Sequence, residues 1–331
     1  MSAQSPTNTG TGSASTPQPA LDDLTKQVTA PPQWLQDAMS VPRSQGTVMA
    51  DGCPINYFQW GDPTKPGLLM MHGFLAHARC FAFIAPYLAE DYNIVAFDLS
   101  GMGDSGARHS YPLETRVDEV LAVAAQTGLF AQQPDGKKPT LIAHSYGGHV
   151  ALAVMEKASD RFDGLIICDL MTLRPERLMA YFGSSKPPGS QDPKRKNKVY
   201  PDYETAKGRF VLSPPQATEV PALFDYMAYH SLKQVEGGWT WKFDPSVFRR
   251  ETDQHDHVFK QGETIVKTPG RKALIYGEQS LLFDADSAAY IRELGGTDLP
   301  IIGIPNARHH LMLDQPIAFA TTLRTILAIW A

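Results

Sequence analysis

One stretch constrains this chain more than any other. Leu141-Ile142-Ala143 is an apolar run leading into His144-Ser145-Tyr146-Gly147-Gly148, after which Val150, Ala151, Val154, Met155 and Ala158 recur at helical spacing. An apolar strand, a sharp turn at a serine and a helix directly behind it have the form of a nucleophile elbow. So tight a turn requires small residues two before and two after the serine. Here they are Ala143 and Gly147, with alanine where glycine is more usual. The serine stands at the amino end of a helix, where free N–H groups and the helix dipole favour developing negative charge. A lone serine there is ordinarily only a cap. Strand, small flanks and helix together point instead to Ser145 as a nucleophile.

The rest of the chain repeats this alternation. Apolar runs recur at Leu68–Met71, Ile94–Phe97, Leu141–Ala143, Leu165–Cys168, Ala273–Tyr276 and Ile301–Ile304. Near-continuous apolar strands belong to a parallel sheet covered on both faces. Between them Leu113, Val117, Val120, Leu121 and Ala124 share a helical face, as do Phe319, Leu323, Ile326, Leu327 and Trp330. Gly46–Ala50 and Pro54–Trp60 flank Asp51-Gly52, a hairpin signal. Strands alternating with helices predict an α/β, doubly wound fold with a mostly parallel central sheet.

Residues 172–251 interrupt the pattern over a length no ordinary crossover needs, and they carry Pro187-Pro188, Pro214-Pro215, Trp239 and Trp241. They read as an inserted, partly helical cap over the carboxyl ends of the strands, where open α/β sheets bind ligands. The core is then expected at 33–171 and 252–331. Residues 1–32 are rich in Ser, Thr, Pro, Gly and Gln and uncharged before Asp22. They read as a disordered tail, without the basic and apolar regions of a secretory signal.

Composition removes other classes. Thirty Lys and Arg against 35 Asp and Glu leave a net charge of −5, which speaks against a nucleic-acid binder. The apolar runs are too short to span a bilayer. Cys53, Cys80 and Cys168 are odd in number and far apart, so neither a disulfide framework nor a zinc site is expected. Reduced thiols fit a cytoplasmic protein. His255-Asp256-His257 is better read as a solvated stretch than a metal site, and Pro193 to Lys198 as a solvated basic loop. Gly237-Gly238-Trp239-Thr240-Trp241 suits either an acyl pocket or the packing of cap onto core.

Two further motifs bear on chemistry. Met71-His72-Gly73-Phe74 follows a strand directly, and the backbone N–H groups of Phe74 and Tyr146 can pair as an oxyanion hole. Late in the chain, Arg308-His309-His310-Leu311 follows the last apolar strand. Either histidine could take the serine proton and return it to the leaving group.

Together these segments resemble the α/β-hydrolase fold family, in its cap-bearing branch. The resemblance rests on His72-Gly73-Phe74, on Phe97-Asp98-Leu99-Ser100-Gly101-Met102-Gly103-Asp104-Ser105, on the elbow at Ser145, and on His309 with Asp314-Gln315-Pro316. It covers most of residues 45–170 and 270–331. In that family the catalytic histidine usually lies five residues before an acidic residue and seven before a proline, which selects His309. The Asp98–Gly103 turn is taken as structural.

The third triad member departs from the family pattern. The usual aspartate position, three residues after the glycine of Tyr276-Gly277, holds Ser280. Asp169 ends the strand expected beside the elbow strand, so its carboxylate would emerge at the same edge. Some short-chain bacterial esterases of this family resemble that arrangement, with the acid after strand six. Asp169 is therefore the preferred acid over Glu278 and Asp284, with Ser280 as a hydrogen-bonding neighbour.

The resemblance implies a serine hydrolase acting on a small-molecule carboxylic ester, thioester or lactone, with no cofactor and no metal. A serine at the elbow argues against epoxide hydrolases and haloalkane dehalogenases, which use a carboxylate. The alternatives on the same scaffold are a carbon–carbon bond hydrolase, a cofactor-free dioxygenase and a non-catalytic receptor.

Overall fold

Each apolar run becomes a strand in the computed structural model, which describes residues 31–131, 136–184, 196–249 and 254–331. The strands are β1 (Arg43–Ala50), β2 (Cys53–Trp60), β3 (Gly67–Met71), β4 (Asn93–Phe97) and β5 (Thr140–His144). They continue with β6 (Gly164–Cys168), β7 (Leu232–Val235), β8 (Gly238–Trp241), β9 (Arg271–Gly277) and β10 (Ile301–Ile304). Eight form one sheet in the order β1-β2-β4-β3-β5-β6-β9-β10, and β7 pairs with β8 apart from it. Within the large sheet β1 and β2 run antiparallel to their neighbours and the other pairs are parallel, while β7 and β8 are antiparallel. Strands β3 to β6 are buried at every position, as a sheet covered on both faces requires.

Local chemistry accounts for the connections. Ala50 pairs with Cys53, and the two residues between them, Asp51 and Gly52, take φ of 45° and 71°, the left-handed pair of a tight hairpin turn. The helix Leu113–Gln126 buries Val117, Val120, Val123 and Ala124, but also Arg116 and Glu119. These charges are paired inside: Arg116 donates to the Ser100 carbonyl at 2.7 Å and lies 3.2 Å from Glu119, which also accepts from Arg108 Nε at 2.7 Å. The helix Pro316–Trp330 packs Phe319, Leu323, Ile326 and Leu327 onto the core, and a short helix at Gln33–Ser40 opens the fold. The three cysteines are buried free thiols.

After β6 the chain leaves the sheet and returns to it at β9. The interval holds the helices Pro175–Ser184, Tyr203–Lys207 and Pro221–His230 together with the β7–β8 hairpin. The insertion is thus more than partly helical: the Gly237-Gly238 segment turns a hairpin, with Gly237 at φ 82°. Trp239 packs its ring on Tyr203 at 5.3 Å. Most of the expected tail, Pro193 to Arg195 of the basic run, and the side chains of His255 and Asp256 lie outside the described residues.

Candidate active site

The carboxyl ends of β5, β6, β9 and β10 converge on one edge. Ser145 follows β5 with φ 52° and ψ −121°, a left-handed conformation that non-glycine residues adopt only where their surroundings impose it. The cause lies in Gly147. A side-chain carbon there would meet the His72 and Met71 carbonyl oxygens at 2.7 and 2.8 Å, so only glycine lets the helix Tyr146–Ala158 start against the end of β3. Asp169, directly after β6, is also left-handed at φ 49°. Backbone bonds hold both turns, since Ser145 N–H donates to the Cys168 carbonyl at 2.9 Å and Asp169 N–H to the Ile275 carbonyl at 2.8 Å.

Asp169 is buried, and its carboxylate is fully engaged. Oδ1 accepts from His309 Nδ1 at 2.8 Å and from the Ser280 hydroxyl at 2.6 Å. Oδ2 accepts from the Gly277 N–H at 2.8 Å. Ser280 in turn accepts from the Leu282 N–H at 3.1 Å. Such charge-assisted bonds are the strong kind. Because the carboxylate can only accept, His309 Nδ1 carries a proton, which leaves Nε2 as the nitrogen that can exchange one. Gly277 is small for a reason: a side chain there would come within 2.4 Å of the Ala307 carbonyl oxygen in the loop that delivers His309.

The other sequence candidates are placed elsewhere. Asp284 caps the helix Ala285–Glu293 through the Ser287 N–H and pairs with Arg177 at 2.8 Å. These bonds hold its carboxyl down at about 2. Glu278 is exposed. His310 is buried beside His309, with ring centres 4.9 Å apart, but the bonds to the Asp169 carboxylate come from His309, Ser280 and Gly277. Burial pushes it down to about 3, so it stays neutral. Asp314, the acidic residue of the family spacing, accepts from the Arg308 N–H at 2.8 Å and so pins the histidine loop. Ser145 Oγ makes no hydrogen bond with a described residue; the bond to a general base is often long until the reacting geometry forms.

The turn after β3 lies against the elbow. A side-chain carbon at Gly73 would come 3.1 Å from Ser145 Cβ. Among the described residues, neither the Phe74 nor the Tyr146 N–H is used in a hydrogen bond, and their rings meet edge-on at 5.7 Å.

Two histidines that the sequence reading left without a role support this arrangement. His72 Nε2 accepts from the Leu99 N–H at 3.0 Å, so its Nδ1–H donates to the Gly73 carbonyl at 2.7 Å. In a trans peptide this turns the Phe74 N–H the opposite way. Burial pushes His72 down to about 4. His144 Nε2 donates to the His309 carbonyl at 2.9 Å, tying the elbow strand to the histidine loop. Only the fold brings these partners together.

His144, His309 and His310 also place one nitrogen each within 4.8 Å of the others, a group of metal-binding residue types among the described residues. Hydrogen bonds already engage a ring nitrogen of His144 and of His309.

Beside this edge lies a cavity of about 310 Å³. Phe74, His144 and His310 line it from the core, and Phe210, Leu212, Trp241 and Phe243 from the inserted segment. Trp241 therefore lines the pocket, whereas Trp239 packs within the insertion.

The sequence matches the model of the Alpha/beta hydrolase family over residues 68–322, and the chain belongs to that family. It is similar to an uncharacterized hydrolase, YugF, of Bacillus subtilis: 25% identical over 140 residues, 41% of this chain and 49% of that protein. It is also similar to epoxide hydrolase 4 of Homo sapiens, 26% identical over 124 residues, 37% of this chain and 32% of that protein. The matches thus take in half or less of these relatives' own lengths. Among solved structures, a thioesterase domain from the curacin biosynthetic pathway superposes with a TM-score of 0.66 at 21% identity, covering 85% of this chain and 99% of that one. That likeness is one of fold. No helix of the described residues is long and apolar enough to cross a membrane.

Proposed function

We propose that the protein is a serine hydrolase that cleaves carboxylic esters through an acyl-enzyme on Ser145. The observation that carries this reading is the buried His309–Asp169 pair, 2.8 Å apart, delivered to the same sheet edge as a left-handed serine at a helix amino terminus. His309 Nε2 takes the Ser145 proton as Oγ attacks the carbonyl carbon. Asp169 holds the ring in the reactive tautomer and offsets the positive charge that develops on it. The Phe74 and Tyr146 N–H groups receive the oxyanion. His309 then protonates the leaving alcohol, and water, activated by the same nitrogen, releases the acid. Residues 172–251 act as the cap, with the cavity beneath it taking one arm of the substrate. Thioesters and lactones react by the same steps.

Epoxide opening on this scaffold uses a carboxylate nucleophile, and the elbow carries Ser145 instead. This favours acyl transfer despite the match to an epoxide hydrolase. The test is turnover of p-nitrophenyl esters and acyl thioesters of increasing chain length. Ester hydrolysis that disappears in Ser145→Ala is expected. Equal hydrolysis by the variant, or none by the native protein, would overturn the reading.

A further inference from the structure

One continuous segment, Arg209-Phe210-Val211-Leu212-Ser213, supplies much of the cavity wall contributed by the insertion, with Met227, Ser231, Trp241 and Phe243 supplying the rest. It follows the helix Tyr203–Lys207, and the Arg209 N–H closes that turn on the Ala206 carbonyl. Phe210 is braced edge-on by Phe224, with ring centres 5.0 Å apart. Arg209 is the exception. It is the one permanently charged side chain on the cavity lining. No described residue gives its guanidinium a hydrogen bond or an ion pair. By contrast, Arg174 and Arg177 meet carboxylates at 2.7 and 2.8 Å, and Arg308 meets Asp314 at 3.0 Å. His144 and His310, which share the lining, are held neutral by burial, and no carboxylate lines the cavity. Phe74 and His144, which neighbour Ser145, bring the lining to the catalytic edge. Exposed Arg209 and Val211 mark the rim.

A mostly apolar cavity beside the reacting edge, with one arginine on its exposed rim that no described residue pairs, fits one kind of molecule. We propose that Arg209 makes the cavity selective for acyl chains that end in a carboxylate, so that the substrate is a monoester or monothioester of an aliphatic dicarboxylic acid. The methylenes displace water from the apolar wall, and the guanidinium takes the terminal carboxylate in its planar fork. Because the rim is exposed, the contact is screened by salt. This inference rests on the reading of Ser145 as the nucleophile.

The experiment compares kcat/KM for mono-p-nitrophenyl esters of adipic, suberic and sebacic acids with those of methyl-ended p-nitrophenyl esters of equal length. In the native protein the carboxylate-ended ester of one length is expected to be favoured about tenfold, through KM, with the preference shrinking as salt rises. In Arg209→Gln the ratio falls to near one, and Arg209→Lys restores part of it. A calorimetric arm separates this inference from the catalytic one. Monomethyl suberate should bind Ser145→Ala about tenfold more tightly than it binds the Ser145→Ala, Arg209→Gln double variant. A preference that survives Arg209→Gln, or equal binding to the two Ser145→Ala proteins, overturns the inference even if every ester is hydrolysed. Absence of ester turnover together with the binding difference would overturn the role of Ser145 alone.

Discussion

At the carboxyl edge of the sheet, positions are set by backbone. Ser145 and Asp169 are held by N–H bonds to the neighbouring strands, and glycines at 147 and 277 leave no room for a side chain. In the insertion, backbone bonds close the β7–β8 hairpin and join Tyr200 to Trp239, but its elements are set on one another largely by side-chain packing. Trp239 rests on Tyr203, Phe210 on Phe224, and Trp241 stacks near Phe243 at 6.4 Å. The first kind of constraint tolerates almost no substitution and suits chemistry that needs reacting atoms placed to within a fraction of an ångström. The second can be repacked without disturbing the sheet and suits selection among substrates. Variants on the two sides should therefore fail differently.

The largest loss is expected from Ser145→Ala. Its kcat should fall by about four to six orders of magnitude, while thermal unfolding stays close to that of the native protein. Loss of stability instead of activity would show that the elbow is only structural.

Next comes Asp169→Asn, expected to lower kcat by about a thousandfold or more through the wrong tautomer of His309, whereas Glu278→Gln leaves it within about twofold. Equal losses would reject the assignment of the acid. Because Ser280 Oγ and His309 Nδ1 meet the same oxygen of Asp169, the comparison can be sharpened by moving the carboxylate. Asp169→Asn with Ser280→Asp should recover part of the lost rate.

Smaller effects are expected further out. Ser280→Ala removes one charge-assisted bond of 2.6 Å and should cost roughly tenfold in kcat. On the other side of the comparison, Trp241→Ala should raise KM for longer acyl chains by roughly fivefold, with kcat for short esters little changed. A fall in kcat for all esters would give the insertion a part in the chemistry itself.

What could be read from sequence followed the same division. Backbone constraints leave local signatures: an apolar run into a serine with small flanks marks the elbow, and Asp51-Gly52 marks a hairpin. The place of Asp169 just beyond β6 was legible because the apolar run stops at its polar residue, and its choice as the acid rests on Ser280 standing where a carboxylate is usual. Contacts between segments distant in sequence leave no such mark. The His144–His309 tie and the His72 bond that orients Phe74 depend on residues up to 165 positions apart. Arg116 and Glu119 lie on the buried face of a helix whose apolar spacing did not include them. In the insertion the hairpin β7–β8 was missed because a four-residue strand such as Leu232–Val235, half polar, has no periodic pattern to detect.

A separate effect, on stability rather than rate, concerns pH. His72 and His310 are pushed down to about 4 and about 3, and His144 lies well below its ordinary value, all chiefly by burial. The folded protein keeps them neutral, while the unfolded chain binds protons near pH 6.5. Stability is therefore full above that pH and declines as pH falls toward 4, by about 1.4 kcal/mol per pH unit for each histidine. Unfolding midpoints between pH 7 and 4 check this, and His310→Gln should flatten the decline. A flat profile in the native protein would show that these rings are not held neutral.

Covalent capture asks most directly whether one activated hydroxyl stands within reach of the His309 imidazole. Intact-mass analysis after exposure to a fluorophosphonate should show a single adduct, mapped by peptide sequencing to Ser145, absent in His309→Ala and present in His310→Ala. An adduct on another residue, or labelling of Ser145 that is unaffected by loss of His309, would contradict the proposed mechanism at its centre.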